Sequence, residues 1–155
     1  MLSDEERKEL DHEAEHYDYK QALCIEALKI VQNHRGWVSD DAIKDIAEYL
    51  GMDPTEVDSV ATFYNLIYRQ PVGRNKVHVC DSVSCHILGY EKIIDHFRER
   101  YGIGWGETTE DDRFTLIPNQ CLGACDRAPC ILVNYELHGP LDAPEKIEDA
   151  LNRYA

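Results

Sequence analysis

"KVHVCDSVSCHILGYEKIIDHFRERYG", residues 76–102, decides how the second half of this chain folds. Lys76 to Cys80 alternate in polarity and are β-branched where apolar, the period-two signature of a strand. Cys80 ends that strand. Cys85 follows in what reads as the loop ahead of a helix running from about Tyr90 to Tyr101. Downstream, "RFTLIP" (113–118) reads as a second strand, and "CILVNY" (130–135) as a third, apolar enough to be central. "ELHGP" predicts a hairpin turn around Gly139. A last helix is expected from Asp142, with Glu145 at the capping-box position, to near Tyr154. Strand, helix, strand, strand, helix makes a small α/β or α+β sheet domain.

Upstream of residue 71 the period changes to that of helices. Ser3 to Glu6 form a capping box ahead of a charged helix expected to reach about Tyr17. Cys24, Ala27, Leu28 and Val31 repeat at helical spacing, and Gly36 ends that segment. Ser39 opens a helix with Ile43, Ile46, Ala47 and Leu50 on one face, closed by Gly51. Asp53, Pro54 and Glu56 are a helix start; Val57, Val60, Ala61 and Tyr64 form its stripe, continued by Ile67 and Tyr68. "RQPVGRN" (69–75) interrupts this with Pro71 and Gly73. The expected organisation is a helical bundle over 1–70 and a sheet domain over 71–155, packed together rather than flexibly linked.

The chain has 155 residues, 43% hydrophobic and 30% charged, a globular composition able to bury a core. Its net charge of −14 argues against nucleic acid and anionic lipid as partners and favours solubility or a basic protein surface. No stretch approaches the ~20 apolar residues that span a bilayer, so no direct membrane insertion is expected. The acidic start "MLSDEERKEL" resembles neither a secretory signal nor an Arg-rich transit peptide, which points to a reducing compartment.

Six cysteines in such a chain favour metal or redox chemistry over a disulfide framework. Cys80-x4-Cys85 and Cys121-x3-Cys125 fall at element ends, where loops carry function on a rigid frame. If those strand ends share one edge of one sheet, four thiolates converge, a set suited to zinc or an iron–sulfur cluster. Structural zinc knuckles usually have two-residue gaps, whereas gaps of four and three suit a two-iron cluster. Gly123 and Ala124 let the backbone approach and offer N–H groups to an anionic centre, and Ser82 and Ser84 could do likewise. Cys125-x4-Cys130 repeats the first spacing, so spacing alone leaves open which cysteines pair. Cys130, after Pro129 and opening an apolar strand, reads as a buried residue, as does Cys24. His86 reads as a surface or supporting residue. A nucleophilic cysteine lacks any nominated base. A thiol–disulfide enzyme would carry a C-x-x-C, which is absent. The spacing favours an iron–sulfur cluster, with a zinc-bound interaction module as the competing class.

"VCDSVSCHILG" and "QCLGACDRAPCILVN", in that order, resemble the small [2Fe–2S] subunits of NADH:quinone oxidoreductase (respiratory complex I), which are thioredoxin-like ferredoxins. "EALKIVQNHRGWVSDDAIKDIAEYLGMDPTEV" and "VATFYNLIYRQPVG" resemble the helical bundle of the same family, so the likeness runs from about Ala22 to the end. It implies an α+β fold: an N-terminal helical bundle followed by a thioredoxin-like α/β [2Fe–2S] ferredoxin domain. It implies that Cys80, Cys85, Cys121 and Cys125 ligate one [2Fe–2S] cluster. It further implies an electron carrier docked on the FMN- and NADH-binding subunit, beside a neighbouring iron–sulfur subunit, on the cytoplasmic face of the inner membrane. FMN and NADH would lie only on that partner, and no G-x-G-x-x-G contradicts this. The module also resembles subunits of NAD-dependent formate dehydrogenases and NAD-reducing hydrogenases. Cys130 is an addition to the family pattern that leaves the four-ligand set undisturbed but could permit ligand swapping after mutation.

Overall fold

A computed structural model describes residues 1–154. The chain divides into two compact units, Met1–Pro71 and the segment from Val72 onward.

The first unit is helical. Helix α1 (Asp4–Ala14) starts at Ser3, whose Oγ accepts from the Glu6 N–H at 3.1 Å while the Ser3 N–H donates to Glu6 Oε2 at 2.8 Å. It stops at Ala14, short of Tyr17, because Glu15, His16 and Tyr17 turn to i→i−3 bonding. A 3₁₀ turn (Lys20–Leu23) leads into α2 (Cys24–Arg35), followed by α3 (Asp40–Leu50), capped by Ser39, and α4 (Pro54–Phe63), boxed by Asp53 and Glu56. Leu10, Leu28, Val31, Ile46, Leu50 and Val57 close the core. The α4 stripe leaves the helix at Tyr64, yet Ile67 is still buried. Buried Gln32 takes the place of the missing helical bonds: its Nε2 donates to Leu66 O at 2.9 Å and its Oε1 accepts from Tyr68 N–H at 2.6 Å.

The second unit is built on a four-stranded mixed sheet of order β2-β1-β3-β4. Strands β1 (Asn75–Cys80) and β2 (Phe114–Asn119) are parallel; β3 (Ile131–Val133) lies antiparallel to β1, and β4 (Glu136–His138) antiparallel to β3. Between β1 and β2 come a short helix α5 (Val83–Ile87) and the crossover helix α6 (Glu91–Tyr101); α7 (Pro144–Leu151) follows the sheet. Val77, Val79, Phe97, Phe114, Ile131 and Ile147 pack together beneath it.

Three local expectations are corrected. The hairpin turns at Asn134 and Tyr135, since Val133 pairs with Glu136. Asn134 adopts φ +55, a left-handed conformation that asparagine tolerates. Its Oδ1 accepts from Lys76 N–H and its Nδ2 donates to Asn75 Oδ1, both at 3.1 Å. Gly139 is required for another reason: an added Cβ would run into the Arg127 carbonyl. The last helix begins at Pro144, because proline holds Ala143 extended (φ −137, ψ 147), and Asp142 instead accepts from Lys146 Nζ at 2.7 Å. It ends at Leu151 rather than near Tyr154. Finally, Cys85 sits within α5, not in a loop.

Candidate metal centre

Parallel pairing puts Cys80 opposite Asn119, so the chain leaving β2 starts beside the end of β1. The Asp81 N–H continues the ladder to Asn119 O at 3.0 Å, and Cys80 Sγ lies 3.8 Å from Gln120 O. From there residues 120–124 curve over Cys80. Burial pushes the Cys80 thiol up. The N–H groups of Leu122 and Ser82, aided by the Cys85 and Cys130 thiols, outweigh that burial and hold it below its ordinary value. A cysteine sulfur that collects backbone donors is a site prepared for a thiolate.

Cys85 reaches the same place from α5. Its side chain faces inward, 1% exposed, while Val83 and Ile87 on the same helix face outward. The Tyr90 N–H bonds its carbonyl at 2.9 Å, tying α5 to the start of α6. Cys130 arrives from the third side, held by the Cys80 N–H bond to its carbonyl at 3.2 Å. Its Sγ lies 3.9 Å from Cys85 Sγ, and the sulfurs of Cys80, Cys85 and Cys130 all lie within 4.8 Å of one another. All three are buried, with Ala124 and Ala128 packed against them. Burial raises the Cys85 and Cys130 thiols, and negative charge on a neighbouring sulfur raises both further.

Cys121 and Cys125 are exposed. Gly123, at φ +72, folds the loop so that its N–H reaches Cys121 Sγ at 3.4 Å. Cys125 opens a 3₁₀ turn (Cys125–Arg127). The loop backbone thus lies on the buried sulfurs while its own two thiols face outward. His86 points away, its Nδ1 2.9 Å from Glu91 Oε1, and is a surface residue. Cys24 is buried in the helical unit, its thiol raised by burial. Of the four thiols expected as ligands, the structure brings Cys80 and Cys85 together with Cys130, and sets Cys121 and Cys125 on the adjoining loop. The convergence of Cys130 is what sequence reasoning misses; the repeated x4 spacing is the one signal that points to it.

The donor set suits an iron–sulfur cluster. Soft thiols predominate, two fixed on the frame and two on a glycine-turned loop, with N–H groups aimed at Cys80 and Cys121 to stabilise negative charge. Residues 10–155 match the family of thioredoxin-like [2Fe-2S] ferredoxins. The chain belongs to that family. This ferredoxin is 47% identical over 154 residues to the E subunit of the NADH-quinone oxidoreductase of Pseudomonas aeruginosa, covering 99% of this chain and 92% of the relative. It is 49% identical over 153 residues to the corresponding protein of Escherichia coli, which bears the same name, with the same coverages. Among solved structures, an NAD+-reducing [NiFe]-hydrogenase in the H2-reduced state shares the fold at a TM-score of 0.70 and 24% identity. That match covers 84% of the ferredoxin and 22% of the hydrogenase chain. The expected α+β fold with a thioredoxin-like ferredoxin domain is thereby borne out.

Proposed function

We propose that this chain is the electron-carrying subunit of the NADH-oxidising module of an NADH:quinone oxidoreductase. Cys80, Cys85, Cys121 and Cys125 hold one [2Fe–2S] cluster, which when bound carries a single electron. The chain docks on the flavin subunit, where NADH and FMN are bound, next to another iron–sulfur subunit. The assembly is peripheral on the cytoplasmic face of the inner membrane. The carrying observation is the division of the four thiols into a buried pair and an exposed pair at one edge of the sheet. A centre held this way is anchored in the fold and open on the side from which a partner's cofactor approaches.

This chain's own residues do three things. The ends of β1 and α5 fix one ligand pair rigidly. The loop from β2 supplies the other pair and partly shields the centre from water. The N–H groups of Leu122, Ser82 and Gly123 stabilise negative charge on the sulfurs, which raises the reduction potential. A subunit of an NAD-reducing hydrogenase is the second reading. The 92% coverage of the NADH-quinone oxidoreductase relatives, against 22% of the hydrogenase chain, favours the first.

The test is iron and acid-labile sulfide analysis of anaerobically purified protein, with electron paramagnetic resonance after reduction. About two irons, two sulfides and a half-spin signal are expected per chain. Replacing Cys80, Cys85, Cys121 or Cys125 by Ser lowers or abolishes cluster content, whereas Cys24→Ser and Cys130→Ser leave it intact. Zinc without sulfide would defeat the electron-carrier reading. Normal content in Cys121→Ser with loss in Cys130→Ser would defeat the ligand assignment.

A further inference from the structure

Cys130 has no place in the four-ligand set, yet its sulfur is nearer to Cys85 than ordinary burial requires. Two thiolates on one tetrahedral zinc ion, with Zn–S near 2.3 Å, stand about 3.8 Å apart. Cys85 and Cys130 stand 3.9 Å apart, and Cys80 completes a trio whose sulfurs all lie within 4.8 Å. These three sit on secondary structure or its immediate ends: Cys80 on β1, Cys85 on α5, and Cys130 bonded to β1 through its carbonyl and leading into β3. The trio is therefore set by the fold and needs no rearrangement of the exposed loop.

We propose that Cys80, Cys85 and Cys130 form a mononuclear zinc site in the chain that carries no cluster. Three Zn–S bonds form, three thiol protons leave to solvent, and water takes the fourth position. Zinc is favoured over a monovalent soft ion because three thiolates leave a net charge of −1 around Zn2+ but −2 around Cu+, and burial penalises the larger charge. The remaining negative charge meets the N–H groups of Leu122 and Ser82 at Cys80 and of Cys130 at Cys85. The site shares Cys80 and Cys85 with the cluster ligands, so zinc and cluster exclude one another. Cys121 and Cys125 serve only the cluster, and Cys130 only zinc.

The experiment uses the full chain freed of its cluster by anaerobic chelation. Zinc affinity is read by competition with a chromophoric chelator, and Co2+ serves as a spectroscopic substitute. One ion per chain is expected, with a cobalt charge-transfer band whose intensity corresponds to three thiolates. Cys130→Ser weakens zinc at least about 100-fold, while Cys121→Ser and Cys125→Ser change it by less than about threefold. Because Cys130 is fully buried, Cys130→Ala provides a second variant, each checked for native circular dichroism. Retention of zinc in both Cys130 variants, equal loss in the loop variants, no binding by the parent chain, or a two- or four-thiolate cobalt spectrum each overturns the proposal. Iron and sulfide content of the same variants reports on the cluster separately, so either reading can fail while the other stands.

Discussion

Glu6→Gln isolates a buried charge that holds the helical unit together. Glu6 is 2% exposed and receives Arg35 through two bonds, Nε to Oε1 at 2.6 Å and Nη2 to Oε2 at 2.8 Å. Arg35 also reaches Asp45 Oδ2 at 3.2 Å, tying α1, α2 and α3 into one network. The Arg35 hydrogen bonds, opposed by burial and helped by the Ser3 N–H, bring the Glu6 carboxyl down from 4.5 to about 2. At about 1.4 kcal/mol per pH unit, that difference contributes about 3 kcal/mol of stability. The folded-state value is depressed, so the contribution is complete above pH 4.5 and fades as pH falls towards 2. Glutamine keeps one acceptor oxygen for the Ser3 N–H. It removes the charge together with one of the two Arg35 bonds, because its NH2 cannot accept from the guanidinium. The variant is therefore expected to be less stable by about 3 kcal/mol at pH 7, with the gap roughly halved at pH 3. Urea unfolding followed by Trp37 fluorescence, in a Trp105→Phe background so that only the helical unit reports, measures it. A gap below about 1 kcal/mol at pH 7, or one that does not shrink on acidification, refutes the reasoning, because exposed pairs give no more than that.

Other consequences are local. Gly123→Ala meets no atom within 4 Å but must adopt φ +72, a strain of about 1 kcal/mol in the loop; cluster release to a chelator should quicken about fivefold, read by bleaching of the visible absorbance. Asn134→Ala loses both a tolerated left-handed residue and two side-chain bonds, about 2 kcal/mol, while Asn134→Gly keeps the turn and costs about half as much by Trp105-detected urea unfolding. With a net charge of −14, association with the flavin subunit should weaken at least about tenfold between 50 mM and 500 mM salt in a binding titration; a salt-independent affinity would place the interface on apolar surface instead.

Much of this molecule is written in short-range signals. Ser3 with Glu6, Ser39, and Asp53 with Glu56 form the cap contacts that their spacing announces, because a cap is satisfied within three residues. β1 and β2 are legible because short β-branched and apolar runs stand between turn residues, and both strands are largely buried. What sequence alone does not show is what depends on distant chain. Helix α5 has five residues, too few to display a period, and exists because Cys85 is buried against Cys80 and Cys130. Gly139 draws the hairpin prediction because glycine is the commoner turn residue. Asn134 can turn here because Asn75 and Lys76 bind its side chain. Gly139 in turn answers to Arg127, twelve residues back in the sequence and close only in the fold.

The same distinction separates the thiols. Cys80 and Cys85 are near in sequence and near in space, and the x4 spacing reveals them. Cys130 joins them through sheet pairing across fifty residues, to which the repeated x4 spacing is the one pointer in the sequence. Its proximity has a functional cost that can be stated physically. The buried pair is common to two possible sets, so what distinguishes cluster binding from zinc binding is whether the third donor comes from the exposed loop or from the start of β3. Cys130 is already in place, and its thiol is pushed up by burial, so it keeps its proton until a metal displaces it. Cys121 and Cys125 are exposed on the loop. The N–H groups at Cys80 serve either set, so selectivity for the cluster rests on the loop's glycine turn, whose Gly123 N–H reaches Cys121, a sulfur that the zinc trio does not include.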